Sequence, residues 1–327
     1  MKTSVARSGT RSGYGTSRAV PRAAANLSFR LELSTLKLVG KSKDTTGRSE
    51  PYLWVAFYKF DGAGIRIVLP LELSGVQIAE ITTLALAILV PGNRDKLVNR
   101  LVEILLDAKL VLSGSPVTSF RPSVNENTDA SRSVFGGEKF SRDESQPIPA
   151  AHGRWSESLL GFEVDIDLES SGLVGGVLDT VQSLLPDVAV RLPLPVPVFG
   201  VAYALLERDL SGKATIAAAH RAFNDELSAV LNGIGAELSL AGAKLRDAQT
   251  DPELIADRIR QKALAAAIAS RDIGSVIHRD DALGSANHVF TPASLGASAP
   301  AFTDVFDKAD TANRGEWHLS GRLAPGA

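Results

Sequence analysis

Residues 27–39 read LSFRLELSTLKLV, and their alternation sets how the rest of the chain is read. Leu27, Phe29, Leu31 and Leu33 fall on one face, while Ser28, Arg30, Glu32 and Ser34 fall on the other. A period of two belongs to a strand with one face in a core and the other in water. A helix would space its apolar residues three and four apart. A β-sandwich is expected to begin here.

Outward from this strand, residues 51–60 read PYLWVAFYKF and concentrate Tyr52, Trp54, Val55, Phe57, Tyr58 and Phe60, the residue types that strands favour. Asp61-Gly62 marks a tight turn into a strand at 65–69. Further strands are expected at 162–168, 199–206, 286–290 and 316–323. In the first of these, Phe162, Val164, Ile166 and Leu168 alternate with Glu163, Asp165 and Asp167.

Between these segments the period becomes helical. Within 76–112, Leu97, Leu101, Ile104, Leu105 and Ala108 recur at three- and four-residue spacing, and Pro91-Gly92 divides the stretch into two helices. Within 215–238, Ile216, Ala219, Phe223, Leu227, Val230, Leu231 and Ile234 form an apolar stripe. Asp251-Pro252 supplies an N-cap and first-turn proline for a second helix at 253–269. Residues 113–146 are rich in Ser, Asn, Gly, Asp and Arg without periodicity and read as a long loop. The expected fold class is therefore α+β: one antiparallel sandwich over 26–327, with helical segments inserted at about 76–112 and 215–270, the loop at 113–146, and a basic flexible tail at 1–25.

Composition narrows the function. The 327 residues are 44% apolar, enough for a substantial core. A net charge of −2, with 37 acidic against 35 basic residues, provides no field to attract nucleic acid. The chain has no cysteine, which removes thiol chemistry and sulfur-ligated zinc. The tail holds Lys2, Arg7, Arg11, Arg18 and Arg22 with no acidic residue and no apolar core, unlike a secretory signal. It reads either as simple disorder or as an arm that docks on a neighbouring subunit or an anionic membrane surface. The apolar runs at 81–90 and 192–206 are shorter than the ~20 residues a membrane span needs. A soluble protein is expected, cytoplasmic or peripheral to a membrane, with non-classical export left open.

Residues 43–55, Lys43-Asp44-Thr45-Thr46-Gly47-Arg48-Ser49-Glu50-Pro51-Tyr52-Leu53-Trp54-Val55, resemble the first calcium loop of the C2-domain family, a membrane-binding module. That family has an Asp, a Gly-containing turn and Ser-Asp-Pro-Tyr entering a strand. Glu50 here takes the second Asp's place with one more methylene of reach. Gly153-Arg154-Trp155-Ser156-Glu157-Ser158 resembles the family's tryptophan segment, in which the indole packs on the sandwich. Glu207-Arg208-Asp209 stands where the family has an Asp-x-Asp pair, and the third acidic position reappears in Arg279-Asp280-Asp281-Ala282-Leu283-Gly284.

The resemblance implies a C2-like sandwich with a Ca2+ site supplied by Asp44, Glu50, Glu207, Asp209 and Asp281. It further implies attachment to an anionic phospholipid surface or a protein partner. Calcium takes about 6–8 oxygen ligands at about 2.3–2.6 Å in flexible geometry, which suits carboxylates on loops at one end of a rigid sandwich. Gathered without a cation, such carboxylates repel and their pKa values rise. The alternative assigns Asp44 and Asp281 to turns, Asp209 to a helix cap, and Glu50 and Glu207 to solvent-facing strand ends.

Other constellations are weaker. The histidines, His152, His220, His278, His288 and His318, share no metal-binding spacing and read as surface or satisfied packing residues. His278 lies near Asp280 and Asp281 without a nucleophile motif, so no catalytic residue is assigned and the chain is not expected to be an enzyme. Gly172-Leu173-Val174-Gly175-Gly176 lacks nucleotide-loop spacing. The apolar stretches 81–90 and 174–185 read as core helices, or as surfaces for a membrane or a neighbouring subunit. The competing reading of the whole chain is a self-assembling polymer or shell subunit, a homo-oligomer bridged by the tail and the 113–146 loop, with calcium structural or absent.

Overall fold

A computed structural model describes residues 27–40, 51–114, 118–122, 139–207, 213–237, 244–247, 253, 257, 261, 281–296, 300–306 and 316–326, with the backbone alone at 207, 213–219, 234–237, 281 and 282. In chain order the first elements are β1 (Leu27–Val39), β2 (Pro51–Phe60), β3 (Ile65–Pro70), α1 (Gly75–Leu86), α2 (Asn93–Leu106), β4 (Val111–Gly114), β5 (Ser119–Arg121), β6 (Ser145–Pro147) and α3 (Ala150–Gly153). They are followed by β7 (Arg154–Leu159), β8 (Glu163–Asp167), α4 (Gly175–Arg191), β9 (Val198–Glu207), α5 (Lys213–Glu237), β10 (Asp281–Phe290), β11 (Ala301–Phe306) and β12 (Glu316–Pro325).

These elements form two compact units. One comprises Val68–Ala108 and Val164–Leu192, and the other takes the rest of the described residues. The larger unit is a mixed α+β structure with antiparallel sheets. One sheet runs β11-β12-β1-β6, with β7 also paired to β1, a second runs β10-β9-β2-β5, and β4, β3 and β8 form a third, three-stranded sheet.

Strand β1 shows how pattern becomes packing. Its apolar residues switch parity after Leu33, from 29, 31 and 33 to 36 and 38. The pairing with β12 shifts register between Leu33 and Thr35. One extra residue there returns Leu36 and Leu38 to the buried face, as a β-bulge does. Ser34, at the bulge, donates its hydroxyl to the Ser320 carbonyl at 3.0 Å.

Strand β2 is buried along its whole length because both its faces are covered. Leu53, Val55 and Phe57 join Phe29, Leu31, Phe199, Val201, Tyr203 and Leu205 in the core between the sheets. Tyr52, Trp54, Ala56, Tyr58 and Phe60 instead meet Ala202, Ala204, Phe223, Leu227 and Leu231, so α5 covers the outer face. The expected stripe of α5 is therefore the buried one where its side chains are described, with Phe223, Leu227 and Leu231 all at 0% exposure. Gly200 is required in this layer: a Cβ there would lie 2.5 Å from the Tyr58 hydroxyl and 2.3 Å from the His288 carbonyl. Trp155 is buried edge-on against Phe29.

The smaller unit packs α1, α2 and α4 against one another. Its core holds Ile81, Ala85, Leu97, Val98, Leu101, Leu105, Val181, Leu184, Leu185 and Val188. Ser74 and Gln77 cap α1 reciprocally. Arg94 pairs with Asp187 and Arg191 with Asp95, which joins α2 to α4. Helix α4 is the core helix expected at 174–185, extended to Arg191, and it buries Val181, Leu184 and Leu185 within its own unit as a third helical segment beside the two expected insertions.

Two further expectations change in detail. The stretch 113–146 contains β5 and part of β4 and β6, each too short for an alternation to be visible. Residues 154–159 are themselves a strand, β7, paired with β1. The helix expected at 253–269 and the tail at 1–25 fall outside the described residues. Among the described residues no helix is long and apolar enough to cross a membrane.

Candidate functional site

Two places in the sandwich unit gather groups with chemistry. The first is an end of the β10-β9-β2 sheet. Pro51 of β2 lies opposite Glu207 of β9, and Glu207 lies opposite Asp281 of β10. Residues so paired have Cα atoms about 4.5–5.5 Å apart. The backbone thus sets Glu207 beside Asp281, with Glu50 the residue immediately before Pro51 in the chain. Asp44, Glu50 and Asp209 lie outside the described residues, and Glu207 and Asp281 are described by backbone alone. A register shift in β10 between Ala282 and Gly284 follows this row directly. Bulges concentrate beside sites because they re-aim side chains.

The second place lies where β10 meets β11, which belong to different sheets. Tyr203 of β9, His288 of β10 and Asp304 of β11 converge there. The Tyr203 hydroxyl donates to Asp304 Oδ2, and His288 Nε2 lies 2.7 Å from the same oxygen. Tyr203 Oη and His288 Nε2 are 3.3 Å apart. Tyr203 is fully buried, while the side chains of His288 and Asp304 remain 23% and 24% exposed. Burial pushes the Asp304 carboxyl up to about 6. The imidazole of His288 stacks on Phe302 at 3.9 Å, and Tyr203 meets Phe306 edge-on.

The sequence pattern assigns His288 a surface or satisfied packing role and does not single out Asp304. A signal was present in the alternation of β11, where Asp304 shares its parity with the apolar Phe302 and Phe306. An acid on the apolar face of a strand marks a buried carboxylate.

A third polar cluster is structural. Asp61, fully buried, accepts from the Ala63 and Leu160 amides and from the Thr118 hydroxyl, and pairs with Lys59 at 3.1 Å. Lys59 also donates to the Ser158 carbonyl at 2.7 Å. Every charge is answered, and the turn after β2 is pinned to the end of β7. The neighbouring Gly62 admits no Cβ, which would fall 1.9 Å from the Gly161 carbonyl oxygen.

Of the remaining histidines, His220 packs edge-on against Trp54 and burial holds its imidazole down to about 4. Burial, then the charge of Arg121, lowers His152. His318 lies 3.2 Å from Glu316, and His278 is outside the described residues. Among the described residues no three His, Cys, Asp or Glu side chains gather as a metal site, and none of the five candidate calcium ligands has a side chain in that set. Comparison of the chain with family models, with curated proteins and with solved structures returns no match.

Proposed function

We propose that this chain is a calcium-dependent attachment module, with Asp44, Glu50, Glu207, Asp209 and Asp281 holding the ion and an anionic phospholipid surface as the partner. The single observation supporting this is the row Pro51, Glu207, Asp281 across three adjacent strands. It brings acidic positions far apart in the chain to one end of one sheet, the arrangement that the C2 resemblance requires. Like charges directly opposite on paired strands are destabilising, and a bound cation would offset that cost. Calcium, with its many oxygen ligands and loose geometry, fits a set that mixes Asp with the longer Glu. An ion only partly coordinated by protein can take a lipid phosphate as a further ligand.

Calorimetric titration of calcium into the chelator-treated protein tests the reading. Binding heat and a raised thermal midpoint are expected, both lost in the Asp209→Asn, Asp281→Asn double variant. Sedimentation with phosphatidylserine vesicles should depend on calcium in the same way. Absence of heat together with an unmoved midpoint would remove the proposal.

A second reading, self-assembly, is favoured by apolar residues open on the helical unit: Leu86, Leu89 and Val90 are 77%, 94% and 53% exposed. Such residues often mark association surfaces. Size-exclusion chromatography with and without chelator separates the two, since assembly through this surface would persist without calcium.

A further inference from the structure

We infer that Tyr203, His288 and Asp304 form a binding site for one first-row transition-metal ion, distinct from the acidic sheet end. The ligands would be the phenol oxygen, imidazole Nε2 and carboxylate Oδ2, with the remaining coordination positions open to water. Tyr203 lies four residues before Glu207 on β9, about 13 Å away at the usual strand rise.

Three strands from two sheets each deliver one donor atom to a common point. Imidazole suits zinc, copper and iron. A phenolate and a carboxylate add two anionic oxygens, so the set favours such an ion over a purely oxygen-ligated one. Two donors about 2.0–2.2 Å from a tetrahedral ion sit about 3.3–3.6 Å apart. The 3.3 Å between Tyr203 Oη and His288 Nε2 matches that spacing. Asp304, 2.7 Å from His288 and closer still to Tyr203, must retreat by more than about 1 Å to admit the ion. Its partial exposure leaves room for that movement and for a water ligand.

Charge points the same way. Asp304 is half-buried, and among the described residues its ionic partner is a histidine rather than a Lys or Arg. A metal ion would supply a fixed cation beside it. On binding, the phenol O–H loses its proton to solvent, His288 stays neutral, and the carboxylate stays ionised. The stack of His288 on Phe302 and the edge contact of Tyr203 with Phe306 hold two ligands oriented in advance, which is what supporting side chains do for metal ligands.

The test uses the full chain after treatment with a chelator. One equivalent of Cu(II) is expected to produce a visible phenolate-to-copper charge-transfer band, and Zn(II) in large excess should compete it away while Ca(II) at the same excess leaves it unchanged. Tyr203→Phe should abolish the band. His288→Gln and Asp304→Asn, both at partly exposed positions, should keep the fold by tryptophan fluorescence yet weaken binding by about 10-fold or more. A copper titration without the band, or with affinity unchanged in His288→Gln and Asp304→Asn, would overturn the inference and leave the three residues as a hydrogen-bonded clasp between the sheets.

Discussion

Asp61 and Asp304 are both carboxylates held inside the sandwich, and they are treated in opposite ways. Asp61 has a lysine at 3.1 Å, a hydroxyl and two amides, and no exposure. Asp304 has a phenol and an imidazole, no Lys or Arg among the described residues, and an edge open to solvent. A buried acid whose charge is fully answered locks a turn. One whose charge is left unanswered is available for a ligand. Chemistry is therefore sought where compensation is incomplete, and burial alone does not identify the site.

The contrast predicts unequal costs. Asp61→Ala strands Lys59 in the interior and should destabilise the sandwich by about 3–5 kcal/mol. Asp304→Asn keeps an acceptor for the phenol and should cost less than about 1.5 kcal/mol in the metal-free protein. Urea unfolding followed by fluorescence measures both, since Trp54, Trp155 and Trp317 all lie in the sandwich unit. Equal losses would end the distinction between the two aspartates.

The same contrast explains what could be read from the sequence. Asp61 is announced locally, by a turn signal, Asp61-Gly62, after a strongly apolar strand. β1, β2, β9 and β12 were legible for the same reason, because each carries enough alternating or continuous apolar sequence to declare its period. β7 and β11 were not, since six residues alternate too briefly to stand out from loops. The apolar stripe of α4 was visible, but a stripe does not say which surface covers it, and α1 and α2 do so here. Asp304 meets Tyr203 and His288 only through the pairing of β11 with β12 and β10 with β9, long-range registers that no local pattern encodes. At the sheet end, the register of β9 and β10 sets Glu207 opposite Asp281, a pairing of residues far apart in the chain that no local pattern encodes.

His220 extends the comparison to a base. Buried against Trp54, its pKa falls from the ordinary ~6.5 to about 4. Between those values the unfolded chain binds more protons than the folded one, so stability rises with pH. The contribution is present above about pH 6.5 and is lost as pH falls toward 4, on the order of 3 kcal/mol over the window. Thermal midpoints measured from pH 4.5 to 7 should show this slope in the native protein and a flatter one in His220→Phe. An undiminished slope in the variant would place the titrating group elsewhere.

Glu32 supplies the surface counterpart and the smallest effect. It stands on β1 opposite Arg154 of β7 and Arg322 of β12, so two cations reach it from both neighbouring strands. Arg154 Nη2 lies 2.6 Å from Oε1, and Arg322 approaches Oε2 at 2.9 Å. The hydrogen bond from Arg154 is the main cause that holds the Glu32 carboxyl below its usual range. Its contribution is present above the unfolded carboxyl pKa and is lost as pH falls through the folded value. Both arginines are about half exposed, at 46% and 59%, so water and salt screen the pairs. Arg154→Gln and Arg322→Gln should each cost under about 1 kcal/mol, less again in high salt. Because they share one carboxylate, the double variant should cost less than the sum of the singles if the remaining arginine compensates for the missing one. Full additivity in a double-mutant cycle would mean that each arginine acts alone. A loss as large as that of Asp61→Ala would mean that exposure, rather than the completeness of charge compensation, is the wrong axis on which to rank these carboxylates.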